Sequence, residues 1–251
     1  MAAGALSGRS AVITGGGTGI GAAIARAFAK QGAATTLLGR RLGPLERVAE
    51  ETGGRAIACD VTDAESVAAL SDELADADIL VNNAGGVSTA PFAKTDPEEL
   101  QRLLDLNLVS AWRMTQAVVP RMQERGWGRV VNIASTAALK GYPYVSAYVA
   151  AKHGVLGMTR ALAAELAKTG VTVNALCPGY CDTDLISGSA AKVAEKTGKT
   201  VEEIKQGFAS ANPQGRLIRP DEVAAAALWL VGEGSESVTG QAIAVAGGEV
   251  M

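Results

Sequence analysis

The sequence predicts an α/β fold: one domain over residues 1–251, with a doubly wound parallel sheet of seven strands flanked by helices. With 251 residues and 48% apolar content, the chain can bury a large core, and no shift in composition divides it. An apolar run at residues 10–14 leads through a glycine-rich turn into a helical pattern at 22–31. Short apolar runs then alternate with helical stretches, which is typical of a parallel sheet.

Composition argues against several classes of protein. A net charge of -3 gives no basic field for nucleic acid. No signal-like segment opens the chain, and no apolar run reaches the roughly 18 residues that a membrane span needs. The three cysteines lack the spacing of a disulfide framework, so we expect a cytoplasmic protein. Cys177 and Cys181 lie four residues apart, but with one histidine in the chain a zinc site lacks ligands, and we predict no metal.

The glycine-rich turn predicts an anion site. Backbone N–H groups converge where a strand passes through such a turn into a helix, and the helix dipole favours a pyrophosphate there. The spacing Gly-x-x-x-Gly-x-Gly departs from the usual dinucleotide fingerprint. We expect the cofactor to contact the turn through Gly15, Gly17, Thr18, Gly19, Ile20 and Gly21.

Further motifs follow in order: Asn82-Asn83-Ala84-Gly85, Asn107, Ser135, Tyr148-x-x-x-Lys152 and Pro178-Gly179. Together with the glycine-rich turn, they resemble the short-chain dehydrogenase/reductase family over essentially the whole chain. The resemblance implies a Rossmann-type domain, a nicotinamide cofactor and reversible hydride transfer between a ketone and a secondary alcohol. It also implies a homotetramer.

Tyr148 and Lys152 are the centre of the predicted chemistry. Residues four apart share one face of a helix, and a neighbouring cation lowers the pKa of a tyrosine. We therefore expect Tyr148 to exchange the proton, while Ser135, at the end of the fifth predicted strand, orients the carbonyl oxygen. The resemblance implies that Lys152 binds the nicotinamide ribose and that Asn107 distorts its helix and holds a water. From the residues alone, Asn107 is equally a satisfied core amide.

The second predicted strand, residues 34–38, ends at Gly39-Arg40-Arg41. A carboxylate here would accept from a ribose hydroxyl, whereas arginine accommodates a 2'-phosphate. We therefore predict that NADP(H) is preferred through Arg40, with Arg41 in support, and that NAD(H) remains possible. A pair of solvated arginines is the alternative. Thr18 stands where many NADP-preferring relatives carry a basic residue.

The third predicted strand, residues 56–59, precedes Asp60 and Val61. By resemblance, Asp60 accepts from the adenine amino group and Val61 backs the ring; Asp60 as a turn or helix-capping residue is the alternative. Residues 62–75 predict one amphipathic helix, and 79–81 a fourth strand. By resemblance, the cofactor is also bound by Asn83, Ala84, Gly85, Pro178, Gly179 and Thr183.

The second half of the chain supplies the remaining strands at 129–134, 171–176 and 241–246. A long helix begins at Asp96, where a cap candidate precedes a proline and two acids. The polar, interrupted stretch at about 184–216 is predicted to be a substrate lid. The candidate substrate-binding residues are Ser135, Tyr142, Tyr144, Tyr148 and Tyr180.

The substrate is less defined than the cofactor. Residues 132–136, 151–155 and 177–179 look like the polyketide ketoreductase and 3-oxoacyl or acetoacetyl thioester reductase branches, which implies a 3-oxoacyl/3-hydroxyacyl thioester of CoA or a carrier protein. Lid lysines at 192, 196, 199 and 205 would contact the carrier's phosphates, or form a solvated basic face. A small sugar or aromatic alcohol is an alternative, and a non-catalytic dinucleotide sensor is another; the presence of Ser135, Tyr148 and Lys152 favours an enzyme.

Overall fold

The computed structural model describes residues 4–250 and contains a seven-stranded sheet in which every pairing is parallel. The strands are β1 (Ser10–Thr14), β2 (Ala34–Gly39), β3 (Arg55–Ala58), β4 (Ile79–Asn82), β5 (Gly128–Ile133), β6 (Val171–Pro178) and β7 (Ala242–Val245). Their spatial order is β3-β2-β1-β4-β5-β6-β7. The predicted doubly wound parallel sheet is therefore confirmed. The strand order reverses between β1 and β4, where such sheets bind ligands at the carboxyl ends of their strands.

Helices cover both faces of the sheet. They are α1 (Gly19–Lys30), α2 (Leu42–Thr52), α3 (Ala64–Ala68), α4 (Ser71–Ala75), α5 (Pro97–Leu104), α6 (Ser110–Arg125), α7 (Ser146–Leu166), α8 (Asp184–Thr197), α9 (Val201–Ser210) and α10 (Pro220–Val231). None of the described helices is long and apolar enough to cross a membrane.

The core has two layers, one on each face of the sheet, because successive residues of a strand point to opposite faces. Ile13 of β1 packs in the cluster that α1, α2 and α10 cover, together with the fully buried Phe28. Its neighbour Val12 packs in the second cluster, together with Met114 and Val118 of α6. This burial on both sides is why the strands form near-continuous apolar runs.

The single helix predicted for residues 62–75 is wrong: two short helices, α3 and α4, occupy this stretch. Val67, Leu70 and Leu74 keep the helical spacing and are all buried. The backbone turns at Leu70, whose ψ angle of 14° departs from the helical value. Asp63 caps α3 by accepting from the backbone N–H of Glu65 at 3.1 Å.

The long helix that begins after Asp96 is interrupted once. Asp96 accepts from the backbone N–H of Glu99 at 2.8 Å and caps α5, as its sequence predicts. A π-helical turn, Asp105–Val109, then separates α5 from α6 and carries Asn107. Such turns are often found at functional sites, because they widen the backbone locally. The resemblance implied a distortion at this residue.

Residues 184–216, predicted as a lid, hold α8 and α9. Thr200 and Glu203 form a capping box that begins α9: the Thr200 hydroxyl accepts from the Glu203 N–H, and Glu203 accepts from the Thr200 N–H. The two helices pack on each other above the carboxyl ends of the strands. This arrangement encloses the cavity described next.

Candidate active site

A cavity of about 700 Å³ lies at the carboxyl ends of the central strands. This volume is in the range of cofactor and ligand sites. The turn after β1, the ends of β4, β5 and β6, and helices α7, α8 and α9 all contribute to its walls. It lies at the place predicted by the reversal of strand order.

The glycine-rich turn forms one end of the cavity. Gly15, Thr18, Gly19 and Ile20 line the cavity, and α1 begins at Gly19, so its free N-terminal N–H groups lie at the wall. Gly15 and Gly19 have φ angles of 65° and 52°, which only glycine adopts without strain. Gly17 packs against α2, and a side chain on Gly21 would come within 2.4 Å of the Gly15 carbonyl oxygen. The structure thus places four of the six predicted positions at the cavity and two in packing roles.

Thr14 braces this turn against the next motif, a role that the sequence analysis missed. Its hydroxyl accepts from the backbone N–H groups of Asn83 and Ala84, each at 2.9 Å. The Asn83 amide donates in turn to the carbonyls of Thr14 and Gly15. Thr14 is only 2% exposed, and a buried hydroxyl must be hydrogen-bonded. A threonine inside an apolar strand, directly before a glycine turn, was the available signal.

A buried amide network joins the sheet to the helix that carries the catalytic candidates. The Asn82 amide donates to the Asn132 side-chain oxygen at 2.8 Å, and the Asn132 amide donates to the Thr159 hydroxyl at 2.9 Å. Asn82 also donates to Thr115 of α6 at 2.9 Å. Two strands and two helices are therefore held in one register beneath the cavity.

Asn107 lines the cavity with its amide satisfied. Its side-chain nitrogen donates to the carbonyls of Gly86 and Leu103 at 3.0 and 2.9 Å, and its oxygen accepts from the Gly86 N–H at 3.1 Å. A side chain added to Gly85 would lie 2.8 Å from the Asn107 oxygen and 3.6 Å from the Lys152 nitrogen. The turn after β4 therefore brings Asn107 and Lys152 to one place.

Ser135, Tyr148 and Lys152 meet in the cavity wall. Ser135 follows β5 and Tyr148 lies in the first turn of α7, and the Ser135 side chain is close enough to Tyr148 to lower its pKa. Lys152 lies one helical turn further, with its nitrogen 5.7 Å from the centre of the Tyr148 ring. It donates to the carbonyl of Ile133 at 2.8 Å, and this anchors it to β5. An acid, an orienting hydroxyl and a fixed cation thus converge on one volume.

Burial decides the protonation of these groups. It raises the pKa of Tyr148 to about 12, although the neighbouring Ser135 hydroxyl lowers it. It lowers the pKa of Lys152 to about 8. The expectation that Lys152 brings the tyrosine pKa toward working pH does not hold for the polypeptide by itself, because burial raises the pKa of Tyr148 and Lys152 is not among the groups that lower it.

At the adenosine end, the two arginines differ. Arg41 lines the cavity, whereas the exposed Arg40 lies outside the cavity wall. Arg40 instead lies near Asp60, whose pKa is lowered first by hydrogen bonds from Thr62 and then by the Arg40 charge. The prediction named Arg40 first, whereas the structure places Arg41, at the N-cap position of α2, in the cavity wall.

Asp60 and Val61 also lie outside the cavity wall. The Asp60 carboxylate accepts from the N–H and hydroxyl of Thr62 at 3.0 and 2.7 Å, which is the turn role given as an alternative, whereas Asp63 caps α3. Val61 is buried in the core, and its carbonyl accepts from Arg113 at 3.0 Å. The resemblance implied that Asp60 and Val61 contact the adenine, but neither residue lines the cavity.

The opposite end of the cofactor region is formed by Pro178, Gly179 and Thr183, all of which line the cavity. Thr183 precedes α8, and its hydroxyl donates to the Cys181 carbonyl at 3.4 Å. A side chain on Gly19 would lie 3.1 Å from the Thr183 methyl group. The glycine-rich turn and Thr183 therefore face each other across a narrow opening.

The substrate side of the cavity is aromatic. Tyr180 stacks on Phe208 of α9 with ring centres 4.7 Å apart and an angle of 4°, and Tyr142 meets Tyr180 edge-on at 6.3 Å. Tyr144 also lines the cavity but is 62% exposed. Phe208 was not predicted; its signal was a lone aromatic residue in the polar lid. None of the four lid lysines lines the cavity: Lys192, Lys196, Lys199 and Lys205.

Comparison with known proteins extends over nearly the whole chain. A family model described as enoyl-(acyl carrier protein) reductase matches residues 15–249. A D-beta-hydroxybutyrate dehydrogenase of Rhizobium meliloti (strain 1021) is 37% identical, over 96% of this chain and 98% of that protein. A ketoacyl reductase of Streptomyces coelicolor, so named provisionally, is 37% identical over 95% of each chain.

Solved structures agree with this chain in fold. A crystal structure of actinorhodin polyketide ketoreductase with NADPH superposes with a TM-score of 0.92 and 35% identity, over 96% of this chain and 97% of that one. L-sorbose reductase from Gluconobacter frateurii, complexed with NADPH and L-sorbose, superposes with a TM-score of 0.90 and 32% identity, over 99% of this chain and 98% of that one. The similarity thus covers the cavity as well as the sheet.

Proposed function

Because this chain belongs to the short-chain dehydrogenase/reductase family, we propose that it uses NADP(H) to interconvert a 3-oxoacyl thioester and the 3-hydroxyacyl form. The chain is an NAD(P)-dependent oxidoreductase that acts on CH–OH groups. The observation that supports the site assignment is the convergence of Ser135, Tyr148 and Lys152 in one cavity with the glycine-rich turn.

The cavity fits a dinucleotide. The backbone of Gly15 and Gly19 leaves a cradle that a side chain would fill, and the N-terminus of α1 offers N–H groups to a pyrophosphate. Arg41, which lines the cavity, would hold a ribose 2'-phosphate through its guanidinium group. Relatives of known structure with NADPH support NADP(H) as the preferred cofactor, with NAD(H) possible. When bound, the nicotinamide supplies the hydride.

The chain's own residues orient the substrate carbonyl and supply a proton. The Ser135 hydroxyl donates to the substrate carbonyl oxygen and orients it. Tyr148 is protonated at neutral pH because its pKa is about 12, so it donates a proton to the same oxygen during reduction. Lys152, anchored to the Ile133 carbonyl, stabilises the phenolate that results. Asn107 keeps the turn after β4 in place beside Lys152.

The aromatic substrate side of the cavity, called the substrate wall below, favours a substrate whose reacting end is neutral and largely apolar. Tyr142, Tyr180 and Phe208 form an aromatic surface, and Lys152 next to Tyr148 is the lysine that lines the cavity. A 3-oxoacyl thioester is uncharged around its ketone, so it suits this wall. The lid lysines do not line the cavity, so they are not used to explain recognition of a carrier.

A small non-thioester alcohol is the second candidate. Relatives named for hydroxybutyrate, cis-4-hydroxycyclohexanecarboxylate and L-sorbose are about as similar as the ketoacyl reductases. Because pocket contacts rather than fold set specificity, the fold does not separate these classes. A cofactor sensor without turnover would bind NADPH but reduce none of these carbonyl classes.

A substrate screen tests the proposal. NADPH and NADH oxidation is followed by absorbance with an acetoacetyl thioester, ethyl acetoacetate, a ketose and a cyclic ketone, and cofactor binding is followed by fluorescence. We expect turnover with the thioester and NADPH, and none with the Tyr148→Phe variant. Turnover of the ketose alone would support the second candidate. Binding without any turnover would support the sensor.

We also propose a cytoplasmic homotetramer, the usual assembly of the family. Trp112 of α6 is 54% exposed, which is unusual for so large an apolar side chain and fits a partner surface. Met158 of α7, the other candidate residue for this surface, is only 5% exposed within its own chain. Light scattering of the Trp112→Glu variant, with Phe92→Glu as the control at another exposed aromatic residue, tests this assembly.

A further inference from the structure

Glu249, close to the carboxyl end of the chain, is a buried carboxylate that the reaction described above does not use. Its side chain is only 1% exposed. It accepts a hydrogen bond from the Tyr142 hydroxyl, which also lies 2.7 Å from the Thr136 hydroxyl. The Lys140 nitrogen lies 3.2 Å from the same carboxylate oxygen. Nothing in the sequence pattern singled out this residue.

The backbone brings Glu249 back beneath the substrate wall. After β7, Gly247 and Gly248 take φ angles of 60° and 91°, and the Glu249 N–H then donates to the Ala246 carbonyl at 3.1 Å. The second carboxylate oxygen lies beside Gly179 of the cavity wall, where an added side chain would come within 2.8 Å of it. Within residues 4–250, this oxygen is buried without a hydrogen-bond partner.

Lys140 is the cation that Glu249 neutralises. The Lys140 nitrogen lies 4.9 Å from the centre of the Tyr142 ring, and Tyr142 lines the cavity. Burial, and then the hydrogen bond to Glu249, raise the pKa of Tyr142, so its hydroxyl stays protonated and donates. Behind the cavity-lining Tyr142 and Gly179 therefore lie a paired lysine and one unpaired carboxylate oxygen, neither of which lines the cavity itself.

We propose that Glu249 is a specificity-determining residue, which makes the site favour carbonyl substrates without a carboxylate over anionic ones. This inference rests on the proposed function of the same cavity. With Glu249 in place, the Lys140 charge is cancelled, and the buried oxygen beside Gly179 repels an anion in the cavity. Without the Glu249 charge, Lys140 would attract a substrate carboxylate to the Tyr142 wall.

The test compares three ligands that share one 3-oxo chain: acetoacetate, its ethyl ester and its N-acetylcysteamine thioester. We expect the wild type to reduce the neutral ligands at least about tenfold more efficiently than acetoacetate, as a charge contrast predicts. Glu249→Gln should lower the ratio of kcat/KM for the neutral ligands to kcat/KM for acetoacetate about tenfold, mainly through a lower KM for acetoacetate. Adding Lys140→Met to Glu249→Gln should remove that gain. Glu124→Gln, on an exposed ion pair with Arg121, is the matched control.

Calorimetric binding of the same ligands in the presence of NADP⁺, which cannot reduce them, gives a second measurement that needs no turnover. Tighter acetoacetate binding in Glu249→Gln, reversed by Lys140→Met, supports the inference. The inference is overturned if Glu249→Gln leaves the ratio of kcat/KM for neutral ligands to kcat/KM for acetoacetate unchanged, or if the wild type prefers acetoacetate. It is also overturned if none of the three ligands binds. Reduction of the ester but not the thioester would contradict the proposed thioester substrate while leaving the Glu249 inference standing.

Discussion

The Lys152 nitrogen lies 5.7 Å from the centre of the Tyr148 ring, and both side chains extend from α7 into one cavity. Burial shifts the two in opposite directions, raising the pKa of Tyr148 to about 12 and lowering that of Lys152 to about 8. Each shift favours the uncharged form. At neutral pH the phenol therefore keeps its proton, which is the form that carbonyl reduction requires.

Replacing the phenol tests its role as the acid. We expect Tyr148→Phe to lower kcat by about 10²- to 10⁴-fold, the usual contribution of a general acid. NADPH affinity should be retained, because the ring and its packing remain. Stopped-flow turnover and fluorescence titration with NADPH measure the two quantities. A Tyr148→Phe variant with normal kcat would refute the assignment.

The buried lysine predicts a pH-dependent stability. Its pKa falls from a reference of 10.5 to about 8 on folding, so between these values the unfolded chain binds more protons and stability from this group rises with pH. At 1.36 kcal/mol per pKa unit, the full effect is up to ~3 kcal/mol.

The Lys152→Met variant isolates this contribution, because the other buried groups titrate in both proteins. We expect its free energy of unfolding, relative to the wild type, to decrease steadily as the pH rises from about 8 to about 10.5. Urea denaturation at several pH values measures the difference. A difference independent of pH would show that the lysine is not shifted.

The two arginines after β2 predict different effects on cofactor choice. Arg41→Ala should weaken NADPH binding by about 10-fold or more and NADH binding far less, because a charge-assisted hydrogen bond to phosphate contributes about 1.5–3 kcal/mol. Arg40→Ala is the matched control and should change the ratio of the NADPH and NADH dissociation constants less, since Arg40 lies outside the cavity wall. Dissociation constants for both cofactors measure the effect. Equal loss of NADH and NADPH in Arg41→Ala would argue against a phosphate contact.

Thr14 predicts a stability effect at a residue that contacts no substrate. Thr14→Val keeps the shape but leaves the N–H groups of Asn83 and Ala84 without their acceptor, so we expect a loss of about 1–3 kcal/mol in the free energy of unfolding. Thr14→Ser keeps the hydroxyl and should retain most of the stability. Chemical denaturation compares the three proteins. Equal stability of the valine and wild-type proteins would contradict the bracing role.

Much of the fold was determined by short-range pattern. A run of apolar residues, a glycine-rich turn and a helical repeat follow one another in the chain, so their order alone predicted β1, the turn and α1. The four-residue separation of Tyr148 and Lys152 likewise determined that they share a helix face, because helix geometry is local. The resemblance then related these motifs to Ser135 and Asn107, and the structure brings all of them to one cavity.

Tertiary structure decided what depends on burial and on contacts between distant residues. Sequence spacing could not show that burial would raise the pKa of Tyr148, that Arg41 rather than Arg40 would line the cavity, or that the backbone would turn at Leu70 between two helices. Nor could it place Glu249 beside Tyr142, 107 residues earlier in the chain. The sequence by itself determined which chemical groups occur and in what local register; the packed fold determined their solvation and their neighbours, because both arise only when remote segments meet.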